Sequence, residues 1–294
     1  MRRSCLSVVV LLIGSVPLFG QAQPQQLPPG VKAQKDVPYV EKGHERQKLD
    51  LYLPEKADGP LPVIVWVHGG GWQGGSKDRC PAVRFVPKGY AVASINYRLS
   101  QHAPFPAQIE DCKAAIRWLR AHAREHQLDP DRIGVWGASA GGHLVALLGT
   151  ASDVKDLEGK LGHNDQSSKV CCVCDWFGPT DFTPLIENST GAAGVVEKLL
   201  GGPVKDNAEK ARLASPITHV TSDDAPILIM HGDKDALVPL SQSESFTAAL
   251  KKAGVEVTFQ VLPGAGHGGA AFTSPESNKL IEDFFARHLK GKQK

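Results

Sequence analysis

The chain has 294 residues, 41% of them apolar and 22% charged. That balance excludes a disordered protein, and the length suits one large α/β domain. Thirty-three basic against 31 acidic side chains leave no charge excess with which to hold nucleic acid or an anionic membrane.

Residues 1–22 read as an export signal. Arg2 and Arg3 give the positive start, Leu6 to Ile13 is nearly all apolar, and Gly20-Gln21-Ala22 puts small residues at the cleavage point. A membrane anchor needs ~20 apolar residues, and Gly14 and Pro17 cut this run short. The expectation is therefore a free protein, secreted or periplasmic. Residues 23–35, rich in Gln and Pro, read as a loose linker, and one domain fills 36–294.

Within that domain, Val37–Val40 and Lys48–Leu53 predict an antiparallel opening pair of strands. Five continuous apolar runs predict strands covered on both faces: Val63–Val67, Tyr90–Ile95, Ile133–Trp136, Val170–Trp176 and Ile227–Met230. Val255–Leu262 is the last strand. Between the strands lie amphipathic patterns, at Ile109–Leu119, Leu144–Leu148, Leu240–Ala253 and Ser274–Leu289, that predict helices. Strands alternating with helices imply a mainly parallel sheet with helices on both faces. Gly178 to Asp224 breaks the rhythm with nine Gly and Pro around one helical piece near Val195–Leu200. An insertion of that length predicts a partial cap over a binding site.

Cys171, Cys172 and Cys174 fall within an apolar run and read as small core side chains. Cys80 and Cys112 leave two readings open. One is a disulfide, which export permits; the other is a pair of buried thiols. No His/Cys cluster has the spacing of a metal site, and no cofactor is called for.

The strongest chemical signal is Gly137-Ala138-Ser139-Ala140-Gly141, set between a strand and a helix. A sharp strand-to-helix turn needs glycines on both sides of a serine whose hydroxyl it lifts into a cleft. Ser139 is thus the candidate nucleophile. The second signal is His68-Gly69-Gly70-Gly71-Trp72 at the end of the third strand. Its glycines can aim backbone N–H groups at an oxyanion, so Gly70 and Gly71 are candidate donors, with the amide of Ala140 as a third. A general base must lie beyond the C-terminal end of a strand. His267, bracketed by Gly264, Gly266, Gly268 and Gly269, meets that condition; Asp235 and Asp233 both follow the strand Ile227–Met230 and compete as the acid. His68 reads as a loop-bonding residue, and His143 as packing on the nucleophile helix.

Taken together, HGGGW at 68–72, GASAGG at 137–142, HGDKDALVP at 231–239 and GAGHG at 264–268 resemble the α/β-hydrolase superfamily. The resemblance is closest to the hormone-sensitive-lipase-like esterases and the related acetylxylan and feruloyl esterases, and runs from about Val37 to Leu289. It implies an α/β-hydrolase fold with a mostly parallel eight-stranded sheet. It also implies a catalytic triad of Ser139, Asp235 and His267, without metal or cofactor. The helical cap that many of these enzymes carry ahead of the sheet is absent here, which predicts an open cleft. Trp72 and Trp176 are expected to supply its walls, aromatic and shallow, and short-acyl esters are the expected substrates, either small molecules or acetyl and feruloyl groups on polysaccharide. A generalist short-chain carboxylesterase and an arylformamidase-type amidase are the alternatives.

Overall fold

The computed structural model describes residues 25–188 and 191–291; the export-signal segment 1–22 lies outside them. In chain order the elements are β1 (Val31–Pro38), β2 (Lys48–Pro54), β3 (Leu61–Val67), β4 (Ala91–Ile95), α1 (Ala107–Ala121), α2 (Ala123–His126), β5 (Leu128–Ala138), α3 (Ala140–Thr150) and β6 (Cys172–Trp176). Then come α4 (Phe182–Asn188), α5 (Ala192–Leu200), α6 (Ala208–Ala214), β7 (Ile227–Gly232), α7 (Ser241–Ala253), β8 (Val257–Leu262) and α8 (Pro275–Phe285).

The eight strands form one sheet in the order β1-β2-β4-β3-β5-β6-β7-β8. β1 and β4 run antiparallel to β2, and every other pair is parallel. The parallel strands therefore all end on one edge, where the motif loops begin. In β3 the side chains alternate: Val63, Val65 and Val67 enter the core layer under α1 and α3, while Ile64 and Trp66 enter the layer with Phe85 and Phe285. A strand covered on both faces has no solvent side, which is why its sequence is apolar throughout.

Three expectations change, and one open alternative is settled. The linker 23–35 is too long, because β1 begins at Val31 and pairs with β2 from Val31↔Pro54 onward; the edge of β2 recruits this polar segment through backbone bonds that composition does not reveal. A Cys80–Cys112 disulfide is absent: both thiols are free and buried. Cys112 sits in the core layer under α1 and Cys80 in the opposite layer, so the sheet separates them, whereas a bridge needs Cα atoms within about 7 Å. Cys172 and Cys174 are buried core residues, but Cys171 lies just outside β6, partly exposed, its thiol on the Asp131 carbonyl at 2.9 Å. The insertion 178–224 carries three helices, α4, α5 and α6, where one was expected. The two missed are seven residues each, too short for a periodic signal. Among the described residues no helix is long and apolar enough to cross a membrane.

Candidate active site

Ser139 stands at the junction of β5 and α3 with φ 57° and ψ −120°, a conformation that costs a non-glycine residue about 1–3 kcal/mol. Close backbone contacts hold it there. A Cβ on Gly137 would collide with the Gly141 carbonyl, and one on Gly141 with the Val67 carbonyl. The Ser139 amide donates to the Trp176 carbonyl at 2.8 Å. Gly142, beyond the motif that drew attention to Ser139, is needed as well: a Cβ there would lie 2.8 Å from the Trp176 carbonyl oxygen and 2.9 Å from the Gly178 Cα.

Three loops bring three side chains together. His267, after β8, places Nε2 2.8 Å from Ser139 Oγ, and its Nδ1 lies 2.7 Å from Asp235 Oδ2. A carboxylate only accepts, so Nδ1 carries the proton and Nε2 accepts from the serine hydroxyl. Asp235, after β7, is itself fixed: its Oδ1 accepts the amides of Leu237 and Val238, each at 2.9 Å. Burial works against its charge, but hydrogen bonds from His231, His267 and the Val238 amide outweigh burial and hold the carboxyl well below the usual carboxylate range. Asp233 takes no part, its Oδ1 accepting the Gly264 amide at 2.7 Å in the turn after β8.

Two contacts around the triad were not read from the sequence. His231 is fully buried; its Nε2 donates to the Val238 carbonyl at 2.8 Å and lies 3.4 Å from Asp235 Oδ2, while Nδ1 accepts from Ser243 Oγ at 2.6 Å. Phe177 packs against the His267 ring at a centroid distance of 4.5 Å. His231 opens the HGDKD motif, so a signal existed; nothing in the sequence around Phe177 pointed to His267.

The glycine loop after β3 turns through Gly70 (φ 111°), Gly71 (φ 58°) and Trp72 (φ 55°). The Gly70 carbonyl accepts the amides of Gln73 and Gly74, both at 3.0 Å. Gly71 and Ala140 border the cavity over Ser139, whereas Gly70 does not line it. Ala140 opens α3, where first-turn amides lack intrahelical acceptors and the helix dipole favours negative charge. His68 bonds the loop: Nδ1 donates to the Gly69 carbonyl at 2.7 Å, Nε2 accepts from Arg46 at 3.1 Å, and the ring stacks on Tyr97. Burial pushes its pKa down to about 4.

A cavity of about 160 Å³ opens beside Ser139 and His267. Its walls correct the aromatic expectation. Leu185 of α4, Val195 and Val196 of α5, and Leu237 and Val238 after β7 make it mainly aliphatic. Trp72 borders it, but Trp176 does not: the Trp176 side chain points to the opposite face of the sheet, in edge contact with Trp66 and Trp136 at 6.3 and 4.9 Å. Being the last residue of β6 fixed its height along the sheet, not its face.

Among the described residues, one group has metal-ligand types close together, His44, Glu45 and His102. None of its members belongs to this site. Both imidazole Nδ1 atoms already accept backbone amides, from Arg46 and Leu99.

Residues 49–250 match the family described as BD-FAE. Esterase LipQ of Mycobacterium tuberculosis is 34% identical over 254 residues, covering 84% of this chain and 60% of LipQ. Esterase LipC of the same bacterium is 32% identical over 266 residues, covering 83% and 64%. The chain thus spans a little under two thirds of the length of these relatives. Among solved structures, a truncated carbohydrate esterase from gut microbiota superposes with a TM-score of 0.82 at 35% identity, covering 88% of this chain and 96% of that one. The acetyl ester-xyloside bifunctional hydrolase of Caldicellulosiruptor lactoaceticus gives 0.71 at 29%, covering 88% and 96%. The architecture is that of the α/β-hydrolase fold.

Proposed function

The chain belongs to the BD-FAE family, and from that membership and the geometry of its site we propose that it is a serine carboxylic-ester hydrolase. The observation that carries this reading is the hydrogen-bonded series from Ser139 through His267 to Asp235, at 2.8 and 2.7 Å, set at the edge of an apolar cavity. In the proposed reaction His267 Nε2 takes the hydroxyl proton as Ser139 Oγ attacks the ester carbonyl. Asp235, held ionised, stabilises the imidazolium that forms. The amides of Gly71 and Ala140, with Gly70 shaping the turn or donating beside them, receive the oxyanion. The tetrahedral adduct expels the alcohol, which takes the proton from His267. Water then attacks the acyl-enzyme by the same route and frees the acid and Ser139. A fluorophosphonate probe should label Ser139 once and abolish ester hydrolysis; labelling elsewhere, or full turnover after labelling, would overturn the assignment.

The proposed substrates are short-acyl esters of sugars. The small aliphatic cavity suits an acetyl to butyryl group better than a flat aromatic acid. The names of the structural neighbours, a carbohydrate esterase and an acetyl ester-xyloside hydrolase, support a carbohydrate alcohol side. Export through residues 1–22 belongs to the same reading, since polymer-borne esters are met outside the cell. Acetate release from acetylated xylan tests it. Hydrolysis of p-nitrophenyl acetate with no release from xylan would leave the generalist carboxylesterase, which the aliphatic walls and the esterase relatives also favour.

A further inference from the structure

Trp72 and His143 form a bonded pair behind the cavity that the reaction scheme does not use. The Trp72 indole Nε1 donates to His143 Nδ1 at 3.2 Å. His143 Nε2 lies 2.7 Å from the Ala214 carbonyl, which can only accept, so Nε2 carries the proton and the ring is neutral with its acceptor side facing the indole. His143 is fully buried in the first turns of α3, four residues after Ser139, and stacks on Phe182 of α4 at a centroid distance of 4.9 Å. Trp72 is also held from its other end: its carbonyl accepts the Ser100 amide at 2.8 Å and the Ser100 hydroxyl at 3.1 Å.

Trp72 follows Gly71 directly, and both have φ near +55°, a left-handed conformation that glycine tolerates and tryptophan rarely adopts. Something must hold tryptophan there. The indole-to-imidazole bond is suited to do so, because it ties the loop bearing Gly71 to the helix bearing Ser139 and Ala140. Both proposed oxyanion donors, Gly71 N–H and Ala140 N–H, are then referenced to one rigid element. The Ala214 carbonyl extends the connection to the end of α6, so the cap, the glycine loop and the nucleophile helix meet at one side chain.

We propose that His143 is a positioning residue for the oxyanion loop, acting through the Trp72 indole. The proposal rests on the serine-esterase reading above. An oxyanion forms only on the way to the tetrahedral adduct, so a displaced donor lowers kcat and leaves KM nearly unchanged. Complete removal of one donor costs about 100–1000-fold, and a loosened one should lose about tenfold or more.

Trp72→Phe removes the indole N–H together with the five-membered ring that carries it; it should lower kcat on p-nitrophenyl acetate by about tenfold or more, and the order of the two variants at position 143, which leave Trp72 whole, separates the lost bond from the lost volume. At position 143, Asn places an acceptor near Nδ1 and forgoes the Ala214 bond, whereas Gln reaches the Ala214 carbonyl and leaves the indole unpaired. Asn should therefore preserve kcat and Gln should lose it, although Gln is the nearer match in size. The double variant Trp72→Phe/His143→Gln should be no slower than the worse single variant. A purely structural role predicts the reverse order, Gln above Asn; that order, or unchanged kcat in Trp72→Phe, overturns the proposal. Should the wild type hydrolyse no ester at all, the esterase reading itself fails, and fluorophosphonate labelling of Ser139 separates the two failures.

Discussion

Acidification from pH 7 to pH 5 should unfold this protein more readily than its surface charges would suggest, because two buried histidines stay neutral. Burial pushes His68 and His143 from the ordinary 6.5 down to about 4; for His143 the bond to the Ala214 carbonyl opposes the shift without reversing it. Below about pH 6.5 the unfolded chain therefore binds protons that the folded chain refuses. The stability is complete above 6.5 and is lost as the pH falls, the opposite of a histidine that gains a carboxylate partner. From a 2.5-unit shift each ring costs about 2 kcal/mol at pH 5 relative to pH 7, with a ceiling near about 3.4 kcal/mol below pH 4. Asp175 works the other way. Burial raises it to about 6, against the Gly178 amide and the nearby His231, so the folded state gains a proton first and recovers about 1 kcal/mol over the same interval. The net loss from these three groups is about 2–3 kcal/mol, a large part of a stability that runs to about 5–15 kcal/mol. Asp235, held far below 3.8, gives up its contribution only in stronger acid. Urea unfolding at pH 7 and pH 5, at one ionic strength, measures the loss. His68→Gln and His143→Gln each remove one titration, so each variant should lose about 2 kcal/mol less than wild type between the two pH values, whatever its stability at pH 7. A variant whose loss equals that of the wild type would refute the reasoning for that ring.

Ser139→Ala should cut turnover by about a thousandfold or more with unfolding by urea unchanged or slightly harder, since the substitution adds no bulk. Asp235→Asn should lose about 100–10,000-fold, because an amide cannot hold Nδ1–H of His267 as the carboxylate does, whereas Asp233→Asn should stay within about tenfold of wild type; equal losses would reopen the choice of acid. Val195→Phe, on the α5 wall where its Cγ1 would lie 3.1 Å from a Cβ at Gly71, should depress kcat/KM for butyrate at least about tenfold more than for acetate, and parallel losses across an acyl series would place the acyl group elsewhere. Among the described cysteines only Cys171 should react with a thiol reagent before unfolding, because burial protects the other four and pushes Cys80 up to about 12; a linked Cys80–Cys112 peptide pair would contradict the two-layer arrangement.

The strands were legible because burial on both faces writes itself into sequence as unbroken apolar runs. Every predicted strand is present, with β5 extended back to Leu128 and β1 to Val31. Those extensions were hidden because Lys32 and Gln34 are exposed polar residues held in the sheet by backbone pairing with β2, and Leu128, which pairs with Leu61, is followed by polar Asp129; side-chain patterns record neither pairing. The site was legible where the backbone is under steric demand. Gly137, Gly141 and Gly69 are glycines because another stretch of the backbone passes where a Cβ would be, so the same constraint that builds the elbow leaves a readable motif.

The cavity walls follow a different logic. Leu185, Val195 and Leu237 line a small space through ordinary aliphatic contact, and no backbone strain singles them out from other aliphatic residues. Trp176 misled for a related reason: its nearness to the elbow along the sheet is real, and its carbonyl does bond Ser139, but the strand's two-residue period sends the indole to the far face. Backbone proximity and side-chain direction are separate facts. The same separation explains His143. As a helix residue four after the nucleophile it was expected to pack, and it does; that its Nδ1 meets the Trp72 indole depends on how a loop 71 residues earlier folds over α3. Chemistry that rests on strained backbone was found from sequence, and chemistry that rests on which way a side chain faces needed the structure.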